Sequence, residues 1–180
     1  VDLRAQMAEL SGGLEEDVLK VLSSAYFVSG PEVASFEEEY AAYVGVEHCI
    51  GVANGTDAVE MALRAVGVSS GDEVILPANT FIATAEAVVR AGAQPVLIDV
   101  LPETLLLDPS QVDAAMTTRT RAVVPVHLFG QVASMEHLLA VSADRGIAVR
   151  AGADLENETG HGVALAAISG EEVGATRKSG

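Results

Sequence analysis

Residues 49–66 of the chain read Cys-Ile-Gly-Val-Ala-Asn-Gly-Thr-Asp-Ala-Val-Glu-Met-Ala-Leu-Arg-Ala-Val. The stretch begins with a short apolar run, passes through an Asn-Gly turn, and continues with apolar residues at helical spacing. The residues at that spacing are Val59, Ala62, Leu63 and Val66. The stretch therefore predicts a strand that turns directly into an amphipathic helix.

The same alternation recurs along the chain. Four more short apolar runs follow, at residues 73–76, 95–100, 122–127 and 147–149. Runs that are apolar throughout are typical of strands buried on both faces, as in a parallel sheet covered by helices. We therefore expect an α/β fold with a mostly parallel sheet flanked by helices. Two further helices are predicted ahead of the first strand, at residues 13–23 and 32–43.

Composition limits the classes of protein that fit this chain. Its 180 residues are 49% hydrophobic, which is enough apolar material for a packed core. The 26 Asp and Glu residues outnumber the 10 Lys and Arg residues, and the formal net charge of −16 repels the phosphate backbone of nucleic acids. No apolar run reaches the roughly 18–20 residues that a membrane span needs. We therefore expect a cytoplasmic protein that binds neither nucleic acid nor membrane.

The turn at Asn54-Gly55-Thr56-Asp57 is the first candidate site. The first N–H groups of a helix have no partner within the helix and carry the positive end of its dipole. Gly55 lets a ligand approach the backbone closely, and Thr56 adds a hydroxyl, so the turn is suited to hold a phosphate. The alternative is that Asn54 or Thr56 serves only as a helix cap.

Two other candidates follow predicted strands, where ligands bind in open α/β sheets. Phe81 either stacks on a planar ring or is a core residue at the start of a helix. His127 either contacts a ligand or is structural, and the structural role is the favoured interpretation. The single cysteine and the scattered histidines indicate no metal site.

These segments, in this order, resemble the DegT/StrS family of sugar aminotransferases, which are pyridoxal-phosphate enzymes of fold type I. The resemblance covers about residues 1–149. The segments that carry it include Phe27-Val28-Ser29-Gly30-Pro31-Glu32-Val33, Asn54-Gly55-Thr56-Asp57-Ala58, Asn79-Thr80-Phe81-Ile82-Ala83-Thr84 and Val124-Pro125-Val126-His127-Leu128-Phe129-Gly130. It implies that residues 1–149 are the N-terminal part of the large domain of this fold.

The resemblance also implies a cofactor and a reaction. Gly55, Thr56 and Asp57 are expected around the phosphate of pyridoxal 5'-phosphate, and Phe81 is expected to stack on its pyridine ring. The implied reaction transfers an amino group, with glutamate as donor, to the keto carbon of a nucleotide-linked sugar. The implied assembly is a homodimer, and the family's pathways make antibiotic sugars or polysaccharides.

The chain departs from the family after residue 149. The family continues with a Glu-Asp-Ala-Ala run whose Asp pairs with the ring nitrogen, whereas this chain reads Arg150-Ala151-Gly152-Ala153-Asp154. The family's Schiff-base lysine has no counterpart, because the lysines here are Lys20, on an N-terminal helix, and Lys178, near the end. No catalytic residue is therefore assigned, and we expect this truncated chain to be inactive.

Residues 150–180 form a second segment that is rich in glycine and glutamate and that we expect to be irregular. Two explanations are open. A frame shift near codon 150 explains the abrupt change and is favoured, and a genuine tail on a repurposed protein is the alternative. The second explanation leads to an alternative function, a non-catalytic binding or interaction protein derived from this fold.

Overall fold

The computed structural model describes residues 2–143 and 145–150, together with the backbone of Gly152–Ala153 and Leu165–Ile168. The chain divides into two compact units, one of Val1–Gly51 with Ala167–Gly180 and one of Val52–Ala166. Residues 2–51 form three helices and one strand, which are α1 (Leu3–Leu10), α2 (Leu14–Ser24), α3 (Pro31–Val44) and β1 (His48–Gly51).

The helices of the N-terminal unit begin and end at residues suited to those places. Asp2 caps α1 by accepting the N–H of Arg4 at 3.0 Å. Pro31 occupies the first turn of α3, and Gly45, with φ of 80°, ends that helix. The sequence predicts α2 and α3 but misses α1, which buries no residue and so lacks a clear apolar face.

Helix α3 packs against β1. The carboxylate of Glu37 accepts a hydrogen bond of 2.6 Å from the N–H of Gly51. Cys49 of β1 is buried, and this burial, with the nearby Glu37 carboxylate, raises the pKa of its thiol. The thiol is therefore protonated at neutral pH and serves as a small apolar group.

The second unit alternates helices and strands as predicted. In chain order they are α4 (Gly55–Ala65), β2 (Glu73–Pro77), α5 (Ile82–Arg90), β3 (Gln94–Ile98), α6 (Pro109–Ala115), β4 (Thr120–Val123), β5 (Val126–His127), α7 (Met135–Ala143), β6 (Ala148–Val149) and β7 (Gly152–Ala153). The last strand among the described residues is β8 (Leu165–Ile168). A short 3-10 turn, Leu128–Gly130, follows β5.

The central sheet has four parallel strands in the order β3-β2-β4-β6. This arrangement confirms the predicted fold class. The strand predicted at residues 49–52 forms β1 and is not a member of this sheet. The run predicted as one strand at residues 122–127 forms two, β4 and β5, because Pro125 has no N–H to donate to a ladder. β5 pairs in parallel with β7, with His127 opposite Ala153.

Strand β2 carries side chains into two separate cores. Val74 and Leu76 belong to one core and Ile75 to the other, and all three are completely buried. The helix residues packed with them are Leu63 of α4 and Val88 of α5 in the first core, and Val112 of α6 and Leu138 of α7 in the second. Helices therefore cover both faces of the sheet, and the loops after the strands remain at its edge.

Candidate functional site

The first turn of α4 presents two backbone donors. Asn54 caps the helix, because its Oδ1 accepts the N–H of Asp57 at 2.9 Å and its carbonyl accepts the N–H of Ala58 at 3.1 Å. Within the residues that the structure describes, the N–H groups of Gly55 and Thr56 have no hydrogen-bond partner. Both residues are half-buried. The cap and the anion site are thus compatible, since Asn54 uses only the later N–H groups of the turn.

Asp57 differs from Gly55 and Thr56 because its backbone N–H is not available to a ligand. Its N–H is already donated to Asn54, so it offers no backbone donor. Its carboxylate accepts hydrogen bonds from Asn54 Nδ2 at 3.0 Å and from Arg90 Nη2 at 2.8 Å. The bond to Asp57 is the largest of the causes that raise the pKa of Arg90, and the carboxylate of Glu60 adds to it. An acidic side chain thus lies beside the candidate phosphate site, paired with a guanidinium.

Phe81 lies at the N-cap position of α5, after the carboxyl end of β2. Phe81 is 46% exposed, so it is not part of the core formed by the described residues. Thr84 donates its N–H to the carbonyl of Phe81 at 3.2 Å and so fixes the backbone at this point. An exposed aromatic face on a fixed backbone can stack against a planar ring.

The loop before Phe81 is held by two neighbouring polar residues. Asn79 Nδ2 donates to the carbonyl of Leu105 at 2.9 Å, which ties this loop to the one that follows β3. The hydroxyls of Thr80 and Thr84 are 3.0 Å apart and hydrogen-bonded. These contacts place Phe81 on a rigid support, as a stacking residue requires.

His127 ends β5 and is half-buried. Its Nδ1 accepts the N–H of Ala133 at 3.1 Å, and burial lowers the pKa of the imidazole. A neutral ring that accepts at Nδ1 carries its proton on Nε2. The bond to Ala133 is a structural one, in agreement with the favoured interpretation.

One of the two lysines in the sequence lies within the described residues. Lys20 belongs to α2, where its Nζ lies 3.2 Å from Glu32 Oε1. Its side chain is largely exposed. Lys178 and Asp154, the second lysine and the displaced aspartate of the sequence, lie outside the described residues.

One site residue was not found from the sequence. Arg90 reaches Asp57 from the far end of α5, across 33 positions of the chain. Nothing local in the sequence links the two, because the contact depends on how α4 and α5 pack against each other. The one signal is the occurrence of a basic residue in the last turn of a helix, which is common for other reasons.

Residues 2–143 and 145–150 contain neither a metal-binding cluster nor a membrane-spanning helix. In that part of the chain, no group of three or more His, Cys, Asp or Glu side chains is placed to hold a metal ion. No helix in that part of the chain combines the length and the apolar character that crossing a membrane requires.

Comparison with known proteins identifies the family. Residues 10–176 match the model of the DegT/DnrJ/EryC1/StrS aminotransferase family. The chain belongs to this family. The match to the family model extends beyond residue 149, where the resemblance noted in the sequence ends.

Members with established names are similar over most of this chain. UDP-2-acetamido-2-deoxy-3-oxo-D-glucuronate aminotransferase of Pseudomonas aeruginosa is 42% identical over 149 residues, which is 83% of this chain and 42% of that protein. Among solved structures, DesV of S. venezuelae in complex with a ketimine intermediate superposes with a TM-score of 0.81 at 41% identity. That match covers 83% of this chain and 40% of DesV.

A second solved structure that resembles this chain contains a bound cofactor. NtdA of Bacillus subtilis with bound cofactor PMP superposes with a TM-score of 0.73 at 35% identity, covering 78% of this chain and 34% of NtdA. The chain thus spans about two-fifths or less of the length of the relatives that it matches. Their similarity establishes the family and the fold of this part.

Proposed function

We propose that this chain supplies the phosphate-binding and ring-binding elements of a pyridoxal-phosphate-dependent aminotransferase. The substrate is a nucleotide-linked keto-sugar and the amino donor is glutamate, and the assembly is a homodimer. Membership of the aminotransferase family supports the reaction class. The name of the Pseudomonas aeruginosa relative supports a nucleotide sugar as substrate. A cytoplasmic location remains a prediction.

The observation that carries this proposal is the pair of unpartnered N–H groups in the first turn of α4, within the part of the chain that the structure describes. Gly55 and Thr56 donate these N–H groups to the cofactor phosphate, at the positive end of the helix dipole. The partly exposed Phe81 stacks on the ring and orients it. The residues present therefore fit the phosphate and one face of the ring. When bound, pyridoxal phosphate supplies an electron sink for chemistry at the carbon that bears the amino group.

We infer that neither lysine of this sequence is the covalent anchor of the cofactor. Lys20 is paired with Glu32 on the N-terminal unit, and Lys178 does not fit the family's lysine motif. We infer that this chain binds the cofactor without a covalent bond and does not transaminate by itself. The second candidate function is a non-catalytic binding protein that keeps the phosphate site.

Binding of pyridoxal phosphate, measured by calorimetry on the full chain, tests the proposed site. Gly55→Pro removes one of the two N–H groups, and proline is tolerated at the first position of a helix, as at Pro31 and Pro109. We expect Gly55→Pro to weaken binding by about tenfold, the size of one charge-assisted hydrogen bond. Pyridoxal, which lacks the phosphate, serves as the control ligand and is expected to bind both proteins equally weakly. Equal binding of pyridoxal phosphate to a folded Gly55→Pro variant and to wild type overturns the proposed site.

Borohydride reduction followed by mass spectrometry tests the missing anchor. A covalent imine is reduced to a stable adduct, so we expect the mass of the chain to be unchanged after incubation with the cofactor. An adduct on Lys20 or Lys178 contradicts this expectation. Transamination of a keto-sugar nucleotide by glutamate, above a control without protein, contradicts the inferred inactivity of the chain. A specific partner protein, found without such activity, favours the second candidate function.

A further inference from the structure

The carboxylate of Asp57 is an unfavourable neighbour for a phosphate bound at the proposed site. Asp57 lies in the same helical turn as the two free N–H groups of the described structure. A carboxylate in the first turn of a helix is attracted to the same positive end as a phosphate. Left unrestrained, this side chain both repels a phosphate and competes with it for the N–H groups.

The structure holds this carboxylate by both of its oxygens. Oδ2 accepts from Asn54 Nδ2 at 3.0 Å, and Oδ1 accepts from Arg90 Nη2 at 2.8 Å. The carboxylate makes no hydrogen bond to the N–H of Gly55 or Thr56 among the residues described. Its orientation therefore leaves both groups open to a ligand.

Arg90 is itself placed by a second carboxylate. Its Nε lies 2.8 Å from Glu60 Oε2, and Glu60 Oε1 also accepts from Arg64 Nε at 2.9 Å. Two carboxylates of α4, those of Asp57 and Glu60, are thus matched by two guanidiniums. These ion pairs neutralise the negative charge near the phosphate site. The formal net charge of the chain is −16, so without them an anionic ligand would be repelled.

We infer that Arg90 is a positioning residue for the cofactor phosphate, which it serves by restraining and neutralising Asp57. Arg90 acts through Asp57 and need not touch the phosphate. The inference rests on the proposed function, because it assumes that the phosphate of pyridoxal phosphate binds at the first turn of α4.

A double-mutant cycle on the full chain tests this role, with binding of pyridoxal phosphate measured by calorimetry. We expect Arg90→Gln to weaken binding by about three- to tenfold, because a partly exposed charge that acts through a neighbouring carboxylate has a modest effect. We expect Asp57→Asn to bind at least as tightly as wild type. The double variant lacks the negative charge that Arg90 restrains, so its binding is expected to return to the wild-type level or better.

Two controls separate this role from general effects. Arg121→Gln removes a guanidinium that pairs with Asp72 at 3.3 Å and changes the net charge of the chain by the same amount. It is expected to leave binding unchanged. Pyridoxal is expected to bind wild type and Arg90→Gln alike, because it lacks the phosphate. Arg90→Lys, which keeps the charge, is expected to recover part of the lost affinity.

The outcomes distinguish the two proposals. If wild type fails to bind pyridoxal phosphate, the proposed function is overturned, and this inference with it. If wild type binds and Arg90→Gln binds equally well, only the inference is overturned. If the double variant is as weak as Arg90→Gln, Arg90 acts by direct contact or by packing, and its proposed action through Asp57 is overturned.

Discussion

The carboxylate of Glu73 is paired with the guanidinium of Arg119 at the start of β2. The Glu73 side chain is almost completely buried, whereas that of Arg119 is 60% exposed. The hydroxyl of Thr117 donates a second hydrogen bond to Glu73 at 2.5 Å. This pair joins the beginning of β2 to the turn that leads into β4, at the end of the sheet opposite the candidate site.

We expect Glu73→Ala to lower the free energy of unfolding by about 1–3 kcal/mol, less than for a fully buried pair because Arg119 is in contact with solvent. Glu73→Gln keeps an acceptor for Thr117 and is expected to cost less. Urea denaturation followed by circular dichroism measures both. A Glu73→Ala variant as stable as wild type would show that the pair adds nothing to stability.

Val88 and Val89 provide a matched test of which face of α5 is buried. The two residues are adjacent and identical, but Val88 is completely buried and Val89 is 59% exposed. We expect Val88→Ala to destabilise the fold by about 2 kcal/mol and Val89→Ala to change it by less than about 0.5 kcal/mol. Equal effects in denaturant titrations contradict the orientation of α5.

The stability of the chain is expected to depend on pH through His127. Burial lowers the pKa of this imidazole below its ordinary value of 6.5. Above pH 6.5 the imidazole is neutral in both the folded and the unfolded chain, and its full contribution to stability is present. As the pH falls from 6.5 toward the lowered pKa, the unfolded chain takes up a proton that the folded chain excludes, so the free energy of unfolding decreases. In His127→Asn the amide oxygen can accept from Ala133 and no proton is taken up.

Melting temperatures measured between about pH 8 and pH 5 check this expectation. The His127→Asn variant is expected to show a shallower decline than wild type over this interval. His127→Leu has no acceptor for the N–H of Ala133 and is expected to melt at a lower temperature at every pH. Parallel curves for wild type and His127→Asn rule out His127 as the source of the dependence.

Phe81→Ala is expected to weaken binding of pyridoxal phosphate and of pyridoxal by the same factor, about three- to tenfold, because stacking involves the ring and not the phosphate. Ile82→Ala is the control, since Ile82 is the next residue and its side chain is 67% exposed. It is expected to leave both affinities unchanged. A loss with Phe81→Ala that is confined to pyridoxal phosphate contradicts a stacking role.

Local patterns in the sequence were sufficient for much of the fold. The strand predicted at residues 73–76 is present as Glu73–Pro77, one residue longer than predicted. It could be predicted because the run is continuously apolar from Val74 onward. The start of α6 is a second local feature, because Asp108 precedes Pro109 and its Oδ1 accepts the N–H of Ser110 at 2.9 Å. Such features depend on neighbouring residues alone.

Features that depend on packing between elements were harder to predict from the sequence. The cap at Asn54 could be predicted, since it involves residues three positions apart. The pairing of Asp57 with Arg90 could not, because it arises only when two helices meet. The exposure of Val89 could not be predicted for a related reason, since helical spacing does not determine how wide a face of the helix its neighbours cover.

The place of β2 between β3 and β4 affects the mobility of the loop that follows it. Hydrogen-bonded along both edges and covered on both faces, β2 cannot move without breaking the sheet and opening both cores. Its amide hydrogens are therefore expected to exchange with solvent only through global unfolding. The loop that carries Phe81 begins at the end of this strand, so the aromatic ring is attached next to a strand whose amides are expected to exchange slowly.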